Sequence, residues 1–254
     1  MLHGVRLLGV LALAATVLAA ACGGTSSADK TKTAAAGGAT KPAGTPAAAT
    51  PGATVAPTTA AKATAYPLTV TDMLGRSVTI KAKPVAIAAI SPTTVEFVFA
   101  VGARSTTRSA SVRFPVDASG SKDIGPSYQP NFELIAAEKP DLIVADSVLQ
   151  PQLVQNLEGL GVPVLYLGAQ VFADVPKGLR LAGQVLDQQG KGEVEAAKLE
   201  KKLADLQAKL PAKKPKVLVL NGTPEDFFAA KPESYVGDLL LQLGADNVAA
   251  GQPD

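Results

Sequence analysis

Residues 131–146 read NFELIAAEKPDLIVAD. The stretch predicts a short helix, a break at Lys139-Pro140, and an apolar strand from Leu142 to Ala145. An apolar run without alternation suits a strand covered on both faces, as in a parallel sheet. Residues 149–168, LQPQLVQNLEGLGVPVLYLG, repeat the pattern with a helix, a Gly-Val-Pro turn and a strand ending at Leu167. Helices alternating with short apolar strands predict a parallel, three-layer α/β sheet. In such sheets ligands bind beyond the carboxyl ends of the strands.

Upstream, LTVTDMLGRSVTI (68–80) alternates apolar residues about a glycine turn, with Leu68 and Val70 before it and Val78 and Ile80 after it. That is a β-hairpin signal. Val85 to Ile90 form an apolar run for a buried parallel strand, and SPTTVEFVFAVGA (91–103) predicts a helix that stops at Gly102. TTRSASV (106–112) is read as the next strand. Downstream, Val175 to Leu186 is amphipathic, and Glu193 to Leu210 carries Leu199, Leu203, Leu206 and Leu210 on one stripe. A strand over 216–220 and a helix within 233–249 follow. One strand and one helix cannot close a core, so a second lobe over 213–254 is expected to be incomplete.

The front of the chain differs in kind. Residues 1–21 hold Arg6, an apolar run from Leu7 to Leu18 and three alanines, the layout of a signal peptide. Cys22 is the only cysteine, so no disulfide can form within the chain, and the only histidine, His3, lies in the segment expected to be removed. LAAAC (18–22) resembles the bacterial lipoprotein box, which makes Cys22 the expected site of lipid attachment. Residues 22–65 are mostly Ala, Thr, Gly and Pro, too poor in large apolar groups to offset ordering entropy, and read as a low-complexity tether.

Composition excludes several classes of function. From Tyr66 onward 19 Lys and Arg stand against 21 Asp and Glu, with no basic face interleaved with aromatics, so nucleic-acid binding is not expected. The same region holds no cysteine or histidine, which removes thiolate or imidazole zinc sites and Ser-His-Asp or Cys-His catalysis.

Taken in order, TDMLGRSVTI, PVAIAAISPTTVEFVFAVGA, IGPSYQPNFELIAAEKPDLIVAD, LEGLGVPVLYLG and SYVGDLLLQLGADNVA resemble the substrate-binding proteins of ABC importers. The likeness is to the class that captures ferric siderophores, haem and cobalamin, and it covers residues 68–250. The resemblance implies two α/β lobes with parallel sheets joined by one long rigid helix, with ligand held between them. The boundaries it suggests are 66–186 for the first lobe, 187–212 for the helix and 213–254 for a partial second lobe. It implies a monomeric, lipid-anchored, extracytoplasmic binding protein and no enzyme. Its partners would be a metal chelate or tetrapyrrole and an ABC permease, with no resident cofactor. Glu133 matches the first-lobe glutamate with which the family docks onto permease arginines; a second acidic docking residue belongs to elements beyond Asp254.

Ligand-binding candidates lie on loops after strands: Ser91, Arg113, Phe114, Tyr128, Asp146, Gln170 and Thr223. Arg113 could pair with an anionic chelate, and Tyr128 could offer an aromatic face. Each is equally readable as an ordinary loop residue, and Tyr166, inside a strand, as core. Two other functions fit the residues: a sensor or scavenger lipoprotein without a transporter, and a hydrolase using carboxylates such as Glu133 and Asp146. No nucleophile elbow, phosphate loop or metal cluster supports the hydrolase.

Overall fold

A computed structural model describes residues 63–223 and 226–251. The signal, Cys22 and nearly all of the tether lie outside the described residues.

Strands β1 (Leu68–Thr71) and β2 (Ser77–Ile80) form the antiparallel hairpin, with Val70, Val78 and Ile80 turned into the core. Its turn is built around Asp72, whose carboxylate accepts from the backbone N–H groups of Leu74 and Arg76 and pairs with the Arg76 guanidinium at 2.9 Å. Gly75 supplies the left-handed residue at φ 78°. Arg76 also reaches Glu158 at 2.7 Å and lies 4.6 Å from the centre of the Tyr166 ring, which locks the hairpin to the sheet.

The chain then runs through β3 (Ile87–Ala89), α1 (Pro92–Ala100), β4 (Thr107–Arg108), β5 (Lys122–Asp123), α2 (Phe132–Ala137), β6 (Leu142–Asp146), α3 (Val154–Glu158) and β7 (Val164–Leu167). β3, β6 and β7 form a parallel sheet in that order, with Ile87 opposite Leu142 and Ile143 opposite Val164. β4 pairs in parallel with β5. The Thr106 N–H donates to Ile87 O at 2.7 Å and Thr107 Oγ1 to Ala89 O at 3.0 Å, which ties β4 to the free edge of β3. The order becomes β5-β4-β3-β6-β7. Strand succession therefore reverses between β3 and β6, the switch point at which open α/β sheets bind ligands.

Both faces of this sheet are covered. Ile87, Ala89, Val144 and Leu165 pack with α1 and with α4 (Asp174–Val185) and α5 (Gln189–Gln207), while Ala88, Ile90, Ile143 and Tyr166 pack under α2 and α3. That sandwich explains the uninterrupted apolar runs. The strand read as 85–90 is shorter: Val85 is 86% exposed because the chain joins the sheet only at Ile87. The strand read from TTRSASV shrinks to two residues, beyond which the serines serve loop hydrogen bonds.

The long helix differs from its leucine-stripe reading. Its buried residues are Gly192 and Ala196, and of the leucines Leu199 packs against the core, while Leu206 is 45% exposed and Leu210 lies past the helix end. α4 and α5 meet backbone to backbone: a Cβ on Gly192 would sit 2.6 Å from Leu179 O, so only glycine admits this approach. Across the same pair Arg180 bridges Glu193 and Glu200, each at 2.7 Å.

After α5 come β8 (Lys216–Val217), β9 (Leu220–Gly222), β10 (Phe227–Ala229), α6 (Tyr235–Gln242) and β11 (Asp246–Asn247). The single strand read over 216–220 is divided, its first part pairing in parallel with β11 and the next stretch folding back antiparallel on β10. Leu218, Leu220, Phe227, Phe228 and Leu241 all stay about half exposed or more.

Candidate functional site

Five loops leave the carboxyl ends of β3, β4, β5, β6 and β7; five of the candidate residues lie on them, and a sixth, Asp146, is the last residue of β6. Ser91 caps α1, its Oγ accepting from the Thr94 N–H at 3.2 Å, and it is fully buried. The same Oγ donates to Asp146 Oδ2 at 3.1 Å, joining the ends of β3 and β6 at the switch point. Asp146 Oδ1 accepts from the N–H groups of Val148 and Leu149 at 2.8 and 3.1 Å. Asp146 is 1% exposed, so both side chains build the loops from beneath and present no polar atom to the edge.

Arg113, Phe114 and Tyr128 are exposed. Arg113 Nη1 donates to Ala110 O and Val112 O at 2.7 and 3.1 Å, which anchors one side of the guanidinium on its own loop. Among the described residues it has no ion pair, and its other N–H groups remain available. Phe114 and Tyr128 are 65% and 61% exposed, large apolar areas left to water. Two contacts unite their loops: the Ala110 N–H donates to Gly125 O at 2.8 Å, and Ser111 Oγ lies 3.2 Å from Ser127 Oγ.

Gln170 points across to the following half of the chain, its Nε2 donating to Glu233 O at 2.8 Å. Thr223 lies apart, in the β9–β10 connection, where its N–H donates to Asp226 O and its Oγ1 accepts from the Asp226 N–H. Glu133 stands exposed in the first turn of α2, capped by Asn131, a position the helix dipole favours for a carboxylate. Asp146 is sealed beneath its loop and Glu133 is exposed on a helix, so the carboxylates do not face one another as hydrolysis would need.

Two features escaped sequence reasoning. A cleft of about 540 Å³ opens beside the strand edge, lined by Pro92, Glu96, Phe97, Ala169, Leu179 and Tyr235 among others. That volume lies in the range of small-molecule pockets. Partial desolvation beside the cleft raises the Glu96 carboxyl above its ordinary range, although the residue stays exposed on α1. Gln150 is the second: fully buried, its side chain is hydrogen-bonded to the end of β6 and to two of the other loops.

The likeness to known proteins agrees with this geometry. The chain is 23% identical over 197 residues to YvrC, an ABC transporter substrate-binding lipoprotein of Bacillus subtilis, covering 74% of this chain and 62% of the relative. It is 27% identical over 124 residues to YfmC, an Fe(3+)-citrate-binding protein of the same organism, covering 48% of this chain and 39% of the relative. The chain thus spans less than two thirds of either relative. Among solved structures, the siderophore-binding protein BauB, bound to ferric iron and two acinetobactin molecules, superposes with a TM-score of 0.65 at 20% identity, covering 74% of this chain and 69% of that one. The sequence model of the periplasmic binding protein family matches residues 87–254, about two thirds of the sequence, and the chain belongs to that family.

Proposed function

We propose that this protein is the extracytoplasmic, lipid-anchored receptor of an ABC importer and that it captures a metal chelate, a ferric siderophore or ferric carboxylate in the first place. One observation carries the reading. Arg113, with donors to spare, and the exposed rings of Phe114 and Tyr128 sit on tied loops at the carboxyl edge of a parallel sheet. A cation beside aromatic faces suits an anionic chelate with an apolar rim. The names of the relatives, one for ferric citrate, support the class of ligand.

The test is a titration with ferric citrate, haem and cobalamin, followed by Arg113→Ala. A charge-assisted hydrogen bond is worth about 1.5–3 kcal/mol. Ferric citrate should therefore bind about ten- to a hundredfold more weakly to the variant. Cobalamin, without the carboxylates, should be little affected. Equal affinity of parent and variant for ferric citrate would move haem or cobalamin ahead.

The same reading assigns Glu133 to permease docking and Cys22 to lipid attachment. Glu133→Arg should impair uptake at unchanged ligand affinity, because it sets like charges against permease arginines. A fall in ligand affinity instead would place Glu133 in the binding site. Cys22→Ser should release the protein from membranes; retention of the variant would refute the anchor.

A further inference from the structure

The Gln150 carboxamide joins the end of β6, the strand before it, to two other loops. Its Nε2 donates to Ser127 O at 2.6 Å and to Ile90 O at 3.2 Å, and its Oε1 accepts from the Asp146 N–H at 2.8 Å. Those backbone groups sit at the end of β6, just past β3, and beside Tyr128 in the loop between β5 and α2. The side chain is fully buried, so no water replaces these partners if the amide is lost. The Gln150 carbonyl in turn accepts from the Tyr166 hydroxyl at 3.4 Å. Apart from this amide, Ser127 is held among the described residues by its hydroxyl contact with Ser111 at 3.2 Å. Tyr128, exposed at the next position, has no side-chain hydrogen bond of its own among the described residues.

We infer that Gln150 is a positioning residue for ligand recognition: its buried amide fixes the Ser127–Tyr128 segment against the ends of β3 and β6. The inference rests on the solute-binding reading, since it gives Tyr128 a ligand to meet. Few side chains can replace the amide. Methionine fills a similar volume without hydrogen bonds, glutamate keeps the shape but loses the paired donors, and asparagine is one methylene short.

The protein contains no tryptophan, so Gln129→Trp places a single indole on this loop and leaves Tyr128 intact. Time-resolved anisotropy of that indole is compared in Gln150, Gln150→Met and Gln150→Glu backgrounds, with circular dichroism as the check on folding. A fast local component should grow in both variants, and ferric citrate, titrated by indole quenching, should bind roughly tenfold or more weakly. Gly192→Ala, which disturbs the distant α4–α5 crossing, serves as the control for general destabilisation and should leave the fast component at the parent level. Unchanged anisotropy in both folded variants overturns the inference. So does a fast component equally large in Gly192→Ala, or an altered anisotropy with unaltered affinity. If the Gln150 reporter binds neither ferric citrate, haem nor cobalamin, the functional reading fails by itself, and the anisotropy still decides whether Gln150 holds the loop. Should Gln150→Met not fold, Gln150→Glu alone carries the comparison.

Discussion

Gln170 donates its side-chain amide to the carbonyl of Glu233 at 2.8 Å, so the loop that follows β7 grips the segment leading into α6. A second bond reinforces it, from the Phe172 N–H to Asp238 Oδ2 at 2.8 Å; the same oxygen accepts from Gln242 Nε2. Read from the sequence, Gln170 is a ligand contact. In the structure its amide joins the sheet edge to the elements after the long helix. Asp238→Ala combined with Gln170→Ala should speed amide exchange across 213–251 and leave β6 as protected as in the parent. Hydrogen-exchange mass spectrometry checks this, since locally weakened segments open without global unfolding. Unchanged exchange over 213–251 would show that these bonds do not hold the two parts together.

Gly192→Ala should destabilise the protein by about 1–3 kcal/mol, the usual cost of forcing extra volume into a packed site. The added methyl would meet Leu179 O at 2.6 Å, a backbone atom that yields only if α4 and α5 move apart. Urea denaturation followed by circular dichroism measures it. An unshifted midpoint would mean that the crossing tolerates separation.

Asp146→Ala should cost about 1–3 kcal/mol, because the Val148 and Leu149 N–H groups and the Ser91 hydroxyl lose an acceptor in a buried place. Asp146→Asn keeps an oxygen for one set of donors and should cost less. The same denaturation series ranks the two. Equal stability of Asp146→Ala and the parent would show that other groups or water satisfy those donors.

Tyr166 should be among the last tyrosines to ionise. Burial pushes its hydroxyl up to about 12, with the neighbouring Arg76 pulling the other way. The folded state holds this proton more tightly than the unfolded chain, whose tyrosines titrate near 10. The resulting stability is fully present below about pH 10 and is lost as pH rises through 10 to 12. Absorbance at 295 nm during an alkaline titration, compared between the parent and Tyr166→Phe, isolates the step. Removal of a transition near pH 10 by Tyr166→Phe would contradict the burial argument.

Local pattern carried the fold a long way. The runs at 142–145 and 164–167 announce strands covered on both faces, because no polar residue interrupts them. Asp72, Gly75 and Arg76 likewise mark a turn whose geometry needs a left-handed residue and a local acceptor. These are short-range facts, written in neighbouring residues. Which loops leave the carboxyl edge was legible to the same extent, since every parallel strand must end at one edge.

Residue roles at that edge depended on packing across long sequence separations. Ser91 and Asp146 look like solvent-facing loop polars, yet they are 55 positions apart and bonded to each other out of reach of water. Gln150 has no local signature at all, because its partners at Ile90 and Ser127 lie 60 and 23 positions away. The leucine stripe of the long helix misled for a related reason: amphipathic spacing tells which face is apolar but not how closely a neighbour approaches. At α5 the neighbour comes near enough that glycine and alanine, not leucine, occupy the contact. Sequence thus determined the order of the elements and the apolar faces through nearest-neighbour chemistry. Only the tertiary structure decided which polar groups are spent on holding loops together and which remain free, because a hydrogen bond between distant strands exists only once the sheet has brought their ends side by side.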